Sequence, residues 1–548
     1  MRGRLGAGLL VAALCCGACT GGRGAVPIRA GAVLDTYIRP KIRQAENQTL
    51  IAVNGALLSA APGLGPYYAR HRDHLVWSTG RGPSPAAASL LRLLRGEEEE
   101  GLSRGLYHLG AIEEAWSGWH RGGHHRRALV RLAELDLLLT NAFLRRAAQL
   151  QGDGVPLAAR EWTGTLLVDP GALLDSALAV GAMEPVLGQL RPAHPEYLRL
   201  ARAWSAYRRL KEAGGWEVLP PGERPRKGKQ GAAELVLRRR LSAEGDLDSL
   251  AGGAGFDDQV ERALRRFQHR HGLADHGRVD GPTAAALEVG VDERLRQLEV
   301  NLERWRWLPL GQGARYVLVR LDEFMLDLVE AGQVVLEMKV VAGKAQWRTP
   351  LFNSQLTQIV LNPYWNVPPS IAQEEVLPAL RGNPDLLEER GFMVVSGQGE
   401  EARVVPPDSL DLEAWTDEQW PYTFIQAPGP DNPLGRMKFL LPNPHHVYLH
   451  DTPNRELFAR QVRDFSHGCI RLEKSLELAL GLLADMPGWN RTRIREVVQS
   501  GQTKQVTLAR PVPVYFAYWT ARVDEEGRVY FRPDVYGADA RLQAVWGR

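Results

Sequence analysis

The sequence is poor in cysteine. Only four occur in 548 residues, and three of them, Cys15, Cys16 and Cys19, lie within the first twenty positions. The fourth, Cys469, is the only cysteine after that segment. A disulfide needs two thiols, and Cys469 has no cysteine partner beyond the N-terminal segment, so the sequence predicts no disulfide framework even in an oxidising compartment. A lone thiol in a polar motif indicates chemistry, with an inert buried cysteine as the alternative.

Long runs of like charge are also missing. The 67 Lys and Arg nearly balance the 64 Asp and Glu, which leaves a formal charge of +3. This pattern argues against a nucleic-acid partner. No internal repeat of the solenoid kind is visible. A chain of 548 residues exceeds what one hydrophobic core supports, so we expect about three domains.

The N-terminus lacks an apolar run long enough to cross a bilayer. The run from Leu5 to Leu14 is far shorter than the roughly 20 residues required, and arginines precede it. Residues 1–18 therefore read as an export signal. Cys16-Gly17-Ala18-Cys19 resembles a bacterial lipoprotein cleavage site, which predicts a lipidated Cys19 and a membrane-anchored periplasmic protein. Cleavage without lipidation and a retained N-terminal anchor are the alternatives.

Residues from about 30 to 232 favour helices. Leu135, Leu138 and Ala142 recur at helical spacing, and similar stripes follow later. They indicate the core of a mainly helical scaffold domain rather than a reactive site. The polar stretch 220–231 marks a linker or an exposed loop.

Residues 233–290 predict a small helical module. Val260, Leu264 and Phe267 lie on one helix face, and VDGPTAAAL supplies a turn followed by another helix. The segment FDDQVERALRRFQHRHGLADHGRVDGPTAAAL resembles the small peptidoglycan-binding domain of cell-wall enzymes. An ordinary helical spacer is the alternative.

The periodicity changes to two from about residue 310. RYVLVRL, EFMLDLVEAG and QVVLEMKVVAG read as consecutive strands, and TQIVL and HVYLH as later ones. We predict a β-rich domain over 310–510, followed by a β-hairpin extension over 511–548. An insert at about 370–445, with a short helix opening at Asn383-Pro384, is of the length expected for a lid over an active centre rather than an idle loop.

The motif DFSHGCIRL, residues 464–472, contains the isolated thiol. A thiol attacks as thiolate, which is scarce at neutral pH without a base. Alternate residues of an extended strand share a face, so His467 could lie beside Cys469 unless a turn at Gly468 intervenes. His450, 19 positions earlier, could instead return on a neighbouring strand. The residues alone leave this choice open.

The stretch HDTPNRELFARQVRDFSHGCIRL resembles the signature of the L,D-transpeptidase (YkuD-type) catalytic domain. With IVLNPYWNVPPSI, the insert, the small module and the helical region, it resembles the long multidomain L,D-transpeptidases of Gram-negative bacteria over most of residues 130–540. The resemblance implies an α+β multidomain fold. One departure is Asp451, where many members carry Gly or Ser; either its backbone carbonyl orients the imidazole of His450, or its carboxylate does.

The resemblance implies roles for the motif residues. Cys469 would attack the diaminopimelate carbonyl of a peptidoglycan tetrapeptide stem and expel D-alanine, while His450 accepts and later returns the proton. Backbone N–H groups of Gly468 and Cys469, with His467, would stabilise the oxyanion. The amine of a second diaminopimelate would accept the acyl group. No metal or other cofactor is implied.

For other residues the sequence leaves two alternative roles open. Arg471 either binds a substrate carboxylate or forms a structural ion pair. Ser466 is either a structural hydroxyl or a direct participant. Trp365 and Tyr448 either line the substrate groove or pack at strand ends.

The same residues also allow other functions. His445, His446, His450, His467 and Cys469 are possible zinc ligands, but they lack Cys-x-x-Cys and His-Glu-x-x-His spacing. A non-catalytic wall-binding protein would use only the small module. Exchange of D-amino acids, lipoprotein attachment and hydrolysis would pass through the same thioester.

Overall fold

The computed structural model describes most of the chain between residues 27 and 546. The described ranges are 27–29, 34–47, 50–59, 63–71, 74–79, 82–96, 101–102, 104–121, 125–152, 168–248, 253, 255–308, 315–397, 402–410 and 420–546. The predicted signal segment, residues 1–18, and Cys19 lie outside these ranges. Within the described part of the chain, no helix combines the length and apolar composition needed to span a bilayer.

The described residues form two compact units, the first drawn from positions up to 96, 103–147 and 168–189, and the second from the rest. The first unit is mainly helical, with two small sheets of order β1-β4-β5 and β2-β3. The sequence pattern missed these strands, because none exceeds six residues and alternation is hard to detect in so short a run. The elements are β1 (Pro27–Arg29), α1 (Arg39–Asn47), β2 (Leu50–Val53), β3 (Ala56–Ser59), α2 (Leu64–Arg70), β4 (His74–Thr79), β5 (Gly82–Pro83), α3 (Pro85–Arg95), α4 (Leu109–Arg121), α5 (His125–Leu150, its last turn in the second unit), α6 (Pro170–Val180) and α7 (Met183–Gly188).

The second unit begins with five helices. Three of them enclose a small core in which Val260, Leu264 and Phe267 are fully buried, as the spacing predicted. Asp257 caps the helix that carries these residues, because its Oδ1 accepts the N–H groups of Gln259 and Val260 at 3.0 Å. The helices are α8 (Pro195–Glu212), α9 (Ala232–Ala243), α10 (Asp258–Arg270), α11 (Gly281–Leu287) and α12 (Val291–Trp307).

The remaining elements of the second unit are mostly strands. They are β6 (Arg315–Arg320), β7 (Met325–Glu330), β8 (Gln333–Gly343), β9 (Asn353–Leu361), β10 (Trp365–Asn366), α13 (Pro369–Ile371), α14 (Leu377–Gly382), α15 (Leu386–Glu389), β11 (Phe392–Ser396), β12 (Arg403–Val405), β13 (Tyr422–Gln426), β14 (Met437–Leu440), β15 (Leu449–His450), β16 (Asp464–Ser466), β17 (Ile470–Leu472), α16 (Ser475–Leu482), α17 (Arg491–Gln499), β18 (Lys504–Ala517), β19 (Ala521–Val523), β20 (Val529–Phe531) and α18 (Ala538–Trp546).

Nine strands form the main sheet, in the order β16-β8-β17-β15-β14-β9-β18-β6-β7. Strand β8 pairs with β7 along its first part and with β17 along its last part, so the sheet closes on itself. The predicted strands β6, β7 and β8 are confirmed. The apolar side chains that alternate along these strands share one core, including Val317, Val319, Leu326, Leu328, Val340, Ala342, Ile359, Leu361, Phe439, Leu449, Ile470 and Leu472.

The insert predicted at about 370–445 has different bounds in the structure, because β14 belongs to the main sheet and the separate sheet already begins at β10. The segment 365–434, between β9 and β14, has a core of its own. Its strands form a second sheet, of order β10-β13-β11-β12. Leu377, Leu380 and Phe424 are buried in the core beneath it. The short helix predicted at Asn383-Pro384 begins slightly later, at Leu386, after a turn in which Asn383 Oδ1 accepts the N–H of Asp385. This part is called the lid below.

The C-terminal region differs from the predicted hairpin extension. Strand β18 pairs with β6 and β9, so the boundary at 511 falls inside a strand of the main sheet. The hairpin is β19–β20, and helix α18 follows it. Trp519, just after β18, stacks on Trp305 of α12 with ring centroids 4.2 Å apart. The α+β multidomain organisation predicted from the sequence is confirmed.

The small helical module packs on this C-terminal hairpin. Arg532 Nη1 donates to the carbonyl oxygen of Arg270 at 2.8 Å, and Gln461 Nε2 donates to that of Gly272 at 2.6 Å. The ring centroids of His271, in the module, and Phe531, in the hairpin, are 5.7 Å apart. These contacts hold the module against the domain that carries the motif.

Candidate active site

The strand register places the motif residues on one face of the main sheet. Strand β15 runs parallel to β17, with Leu449 opposite Ile470, and the N–H of Ile470 donates to the carbonyl of Tyr448 at 3.1 Å. Leu449 and Ile470 are both fully buried in the core. Because side chains alternate along a strand, the neighbouring residues point to the opposite face: these are Tyr448, His450, Cys469 and Arg471.

His450 is held as a neutral imidazole. Its Nδ1 lies 2.6 Å from the backbone carbonyl oxygen of Asp451, so Nδ1 carries the proton of the neutral ring. The backbone of Pro433 also forms a hydrogen bond with the imidazole. Burial lowers the pKa of His450 to about 3, with the positive charges of Arg471 and Lys438 acting in the same direction. The imidazole is therefore uncharged throughout the neutral range.

The carboxylate of Asp451 binds other groups than the imidazole of His450. One of its oxygens accepts the N–H of Arg436 at 2.9 Å, and the other accepts the hydroxyl of Ser475 at 2.9 Å. Of the two alternatives for this position, the backbone carbonyl orients the imidazole. The carboxylate instead braces the loops around it.

The thiol of Cys469 lies among hydrogen-bond donors and cations. Burial raises its pKa above the usual value, while backbone and side-chain hydrogen bonds from Tyr448 and the charges of Lys438 and Arg471 oppose that rise. Lys438 Nζ lies 3.7 Å from the centre of the Tyr448 ring. Sγ also lies 3.9 Å from the carbonyl oxygen of His446. At rest the pair is thus a thiol and a neutral imidazole.

Gly468 forms a tight turn before the thiol. Its φ is +111°, a region that side chains strongly disfavour. Ser466 Oγ accepts the N–H of Gly468 at 3.1 Å and donates to the carbonyl of Cys469 at 2.6 Å. Thr349 Oγ1 donates to the carbonyl of Gly468 at 2.8 Å. Ser466 therefore makes the contacts of a structural brace, and the N–H of Gly468 is already engaged.

The turn also separates His467 from the thiol. The ring of His467 packs on Trp347 with centroids 4.4 Å apart, and its Nε2 lies 3.0 Å from Glu375 Oε1. Burial lowers the pKa of His467, and Glu375 opposes this. Since Glu375 belongs to the lid, His467 links the lid to the motif.

Arg471 and Trp365 lie beside the same region. The described residues place no carboxylate within ion-pair distance of Arg471, and Glu375 and Glu456 act on it only at longer range. Trp365 lines a lid cavity of about 160 Å³, together with Glu375 and Pro433. Tyr448 packs against the core of the lid.

The possible zinc ligands are not assembled. Among the described residues, no group of three or more His, Cys, Asp or Glu side chains is placed to hold a metal ion.

The pH dependence of Cys469 alkylation is expected to reflect the raised pKa of its thiol. Because burial raises the thiol pKa, the thiolate fraction is small at pH 7 and grows with pH. The rate with iodoacetamide should still be rising at about pH 9 and show no step near pH 6.5. Peptide mass mapping over a pH series measures this, and a plateau reached by pH 7 would contradict it.

Lys438 is a site residue that the sequence reading missed. Its cation favours the thiolate, so Lys438→Met is expected to slow alkylation at pH 8 roughly three- to tenfold by raising the thiol pKa further. Lys227→Met, which removes an exposed cation from the segment that precedes the small module, is the matched control. Equal rates in the two variants would contradict this role.

The missed residues differ in how they could have been found. Lys438 lies between Met437 and Phe439, which both enter the core, so alternation alone indicates that it faces the other way. Thr349 and Glu375 had no such signal. Their contacts with the motif exist only after segments distant in sequence have packed together.

Three family models match separate parts of the chain. Residues 314–485 match the L,D-transpeptidase catalytic domain family, YkuD, residues 63–203 match a scaffold domain, and residues 233–287 match the family described as "Putative peptidoglycan binding domain". A Haemophilus influenzae protein described as "Putative L,D-transpeptidase" is 36% identical over 247 residues, which are 45% of this chain and 49% of that protein. The chain thus spans about half the length of this curated relative.

Two solved structures also match at low similarity. An L,D-transpeptidase from Xylanimonas cellulosilytica is 16% identical and covers 54% of this chain and 99% of its own, with a TM-score of 0.17. One from Stackebrandtia nassauensis is 12% identical and covers 53% and 94%, with a TM-score of 0.20. These TM-scores are too low to support a conclusion. The family matches confirm the resemblance inferred from the sequence: this chain carries a YkuD-type L,D-transpeptidase catalytic domain together with a scaffold domain and a peptidoglycan-binding domain.

Proposed function

We propose that the protein is a peptidoglycan L,D-transpeptidase that joins two stem peptides through a thioester on Cys469. The observation that carries the proposal is the register of β15 on β17, which pairs His450 with Arg471 and, with the alternation of side chains, supports a common face for His450 and Cys469. The neutral state of His450 supports its role as the base.

The first half-reaction forms the acyl-enzyme. His450 takes the thiol proton, and the sulfur of Cys469 attacks the carbonyl carbon of diaminopimelate in a tetrapeptide stem. The C–N bond to the terminal D-alanine breaks, and His450 returns the proton to the departing amine. Since Ser466 engages the N–H of Gly468, we assign the oxyanion contact to the N–H of Cys469, with Gly468 providing the turn that exposes it.

The second half-reaction transfers the acyl group to the side-chain amine of another diaminopimelate. Water competes for the same thioester, so transfer requires an oriented acceptor and a partly closed site. The lid is suited to closing the site, because Glu375 approaches His467 and the lid core packs on Tyr448. Arg471 is assigned to a substrate carboxylate, which agrees with its position on the same face as the thiol.

The remaining parts of the chain agree with a cell-wall substrate. The peptidoglycan-binding domain would keep the catalytic domain near its polymer. Export and lipidation of Cys19 would place the protein in the periplasm, attached to a membrane.

Related activities use the same chemistry. D-amino-acid exchange, lipoprotein attachment and hydrolysis share the thioester and differ only in the acceptor. A protein that only binds the wall would not need a neutral histidine beside a thiol, so the site geometry favours an enzyme.

Purified muropeptides test the proposal. Incubation of the full chain with tetrapeptide muropeptides should release D-alanine and yield dimers linked between two diaminopimelate residues, identified by mass. Release of D-alanine without dimers would favour hydrolysis or exchange. No D-alanine release and no adduct on Cys469 with a carbapenem would contradict an L,D-transpeptidase.

A further inference from the structure

A second and larger cavity lies beside the motif. It has a volume of about 440 Å³ and is called the C-terminal cavity here. Its walls come from the segment 348–353, from residues 442–445 and from the end of the chain, which contributes Tyr518, Tyr536 and Arg541. None of its lining residues belongs to the lid cavity.

The walls of the C-terminal cavity contact the catalytic turn directly. Thr349, a lining residue, donates to the carbonyl of Gly468 at 2.8 Å. His445 lines the cavity, and the carbonyl of the next residue, His446, lies 3.9 Å from Cys469 Sγ. Tyr536 donates its hydroxyl to the carbonyl of Gly343 at 2.7 Å. The cavity therefore adjoins the thiol along a wall that also fixes the turn.

The lining of this cavity suits an anionic, amine-bearing peptide. Arg348 and Arg541 are exposed on its wall, the ring of His445 lies 5.2 Å from that of Phe352, and no lining residue is acidic. Guanidinium groups bind carboxylates in paired hydrogen bonds. A stem peptide presents carboxylates next to the amine that must attack.

Size separates the two cavities. A pocket for a small ligand commonly has roughly 300–1,000 Å³. The C-terminal cavity falls in this range, whereas the lid cavity, at about 160 Å³, is too small for a peptide unless the lid moves. The two substrates of a transpeptidase must meet at one carbonyl carbon. The lid cavity and the C-terminal cavity, on different sides of the motif, would each hold one of them.

We propose that the C-terminal cavity binds the acceptor stem peptide, an inference that depends on the proposed function. The acceptor amine attacks the thioester carbonyl carbon, so that a C–N bond forms and the C–S bond breaks. The proton lost by the amine passes to His450 and then to the sulfur, which restores the thiol of Cys469. Arg348 and Arg541 position the acceptor through its carboxylates.

The double variant Arg348→Gln, Arg541→Gln separates the two half-reactions. Both side chains are exposed, so folding should be retained, which thermal unfolding checks. Carbapenem acylation of Cys469 and release of D-alanine from a tetrapeptide should stay within about twofold of wild type. Dimer yield should fall roughly tenfold or more, with a higher apparent KM for acceptor and more hydrolysed tripeptide, as expected for losing two charged hydrogen bonds. Arg493→Gln, an exposed arginine outside both cavities, is the matched control.

The outcomes are distinguishable. Unchanged dimer yield in the double variant overturns the acceptor site, and so does a wild type that is acylated but never forms dimers. Slower acylation in the double variant also overturns it, because the cavity would then bind the donor. A wild type that neither releases D-alanine nor is acylated refutes the proposed function itself.

Discussion

Cys469→Ala is expected to abolish both half-reactions. Without sulfur there is no acyl carrier, so no carbapenem adduct should form, and D-alanine release should fall on the order of 10⁶-fold, the scale seen when an activated nucleophile is removed. Mass spectrometry of the intact chain and quantification of D-alanine measure the two effects. The other cysteines are confined to the first twenty positions, so an adduct is readily mapped.

Two controls for Cys469→Ala test whether the variant still folds and whether acylation requires sulfur. The Cys469 side chain makes weak hydrogen-bond contacts with the His446 carbonyl and with Tyr448, so the melting temperature should change little. Cys469→Ser, which keeps a nucleophilic group of much higher pKa, should also lose acylation. D-alanine release by Cys469→Ala at the wild-type rate would remove the proposed nucleophile.

His450→Gln is expected to slow acylation about 10²–10⁴-fold at pH 7. Glutamine can still donate to the Asp451 carbonyl, so the loop should hold, but it cannot take up a proton. The time course of acyl-enzyme formation, followed by mass, measures the loss.

The pH dependence distinguishes a base from a structural residue. As pH rises, the thiol ionises without help, so the defect of His450→Gln should shrink toward pH 10, where wild type and variant converge. His276→Gln, in the peptidoglycan-binding domain, should match wild type at every pH. A defect that stays constant with pH would indicate a structural role and contradict general-base catalysis.

The sequence predicted much of the fold because the relevant signals are local. The alternating residues of β6, β7 and β8 and the helical stripe of α10 each report which side of an element is buried. Shorter strands were missed because so few residues hardly show alternation. The boundary at 511 was placed inside β18 because the extent of this strand depends on its pairing with β6 and β9, which are distant in sequence.

The candidate site shows the same limit. Spacing in the sequence left His450 and His467 as equal candidates, and the family resemblance favoured His450. The positive φ of Gly468 carries His467 away toward Glu375, while the parallel register brings His450 to the face of Cys469. Neither feature can be read from the motif, since one depends on a single backbone angle and the other on pairing across 19 residues.

The sequence by itself therefore identified the isolated thiol as the candidate nucleophile, its motif, and the apolar faces that build the cores of the catalytic domain and the small module. Tertiary structure alone decided which histidine shares the sheet face with the thiol, that a backbone carbonyl orients it, that Lys438 lies nearby, and that residues near the C-terminus line a cavity beside the turn. Periodicity records whether a side chain is buried, but the neighbours it meets depend on long-range register and packing.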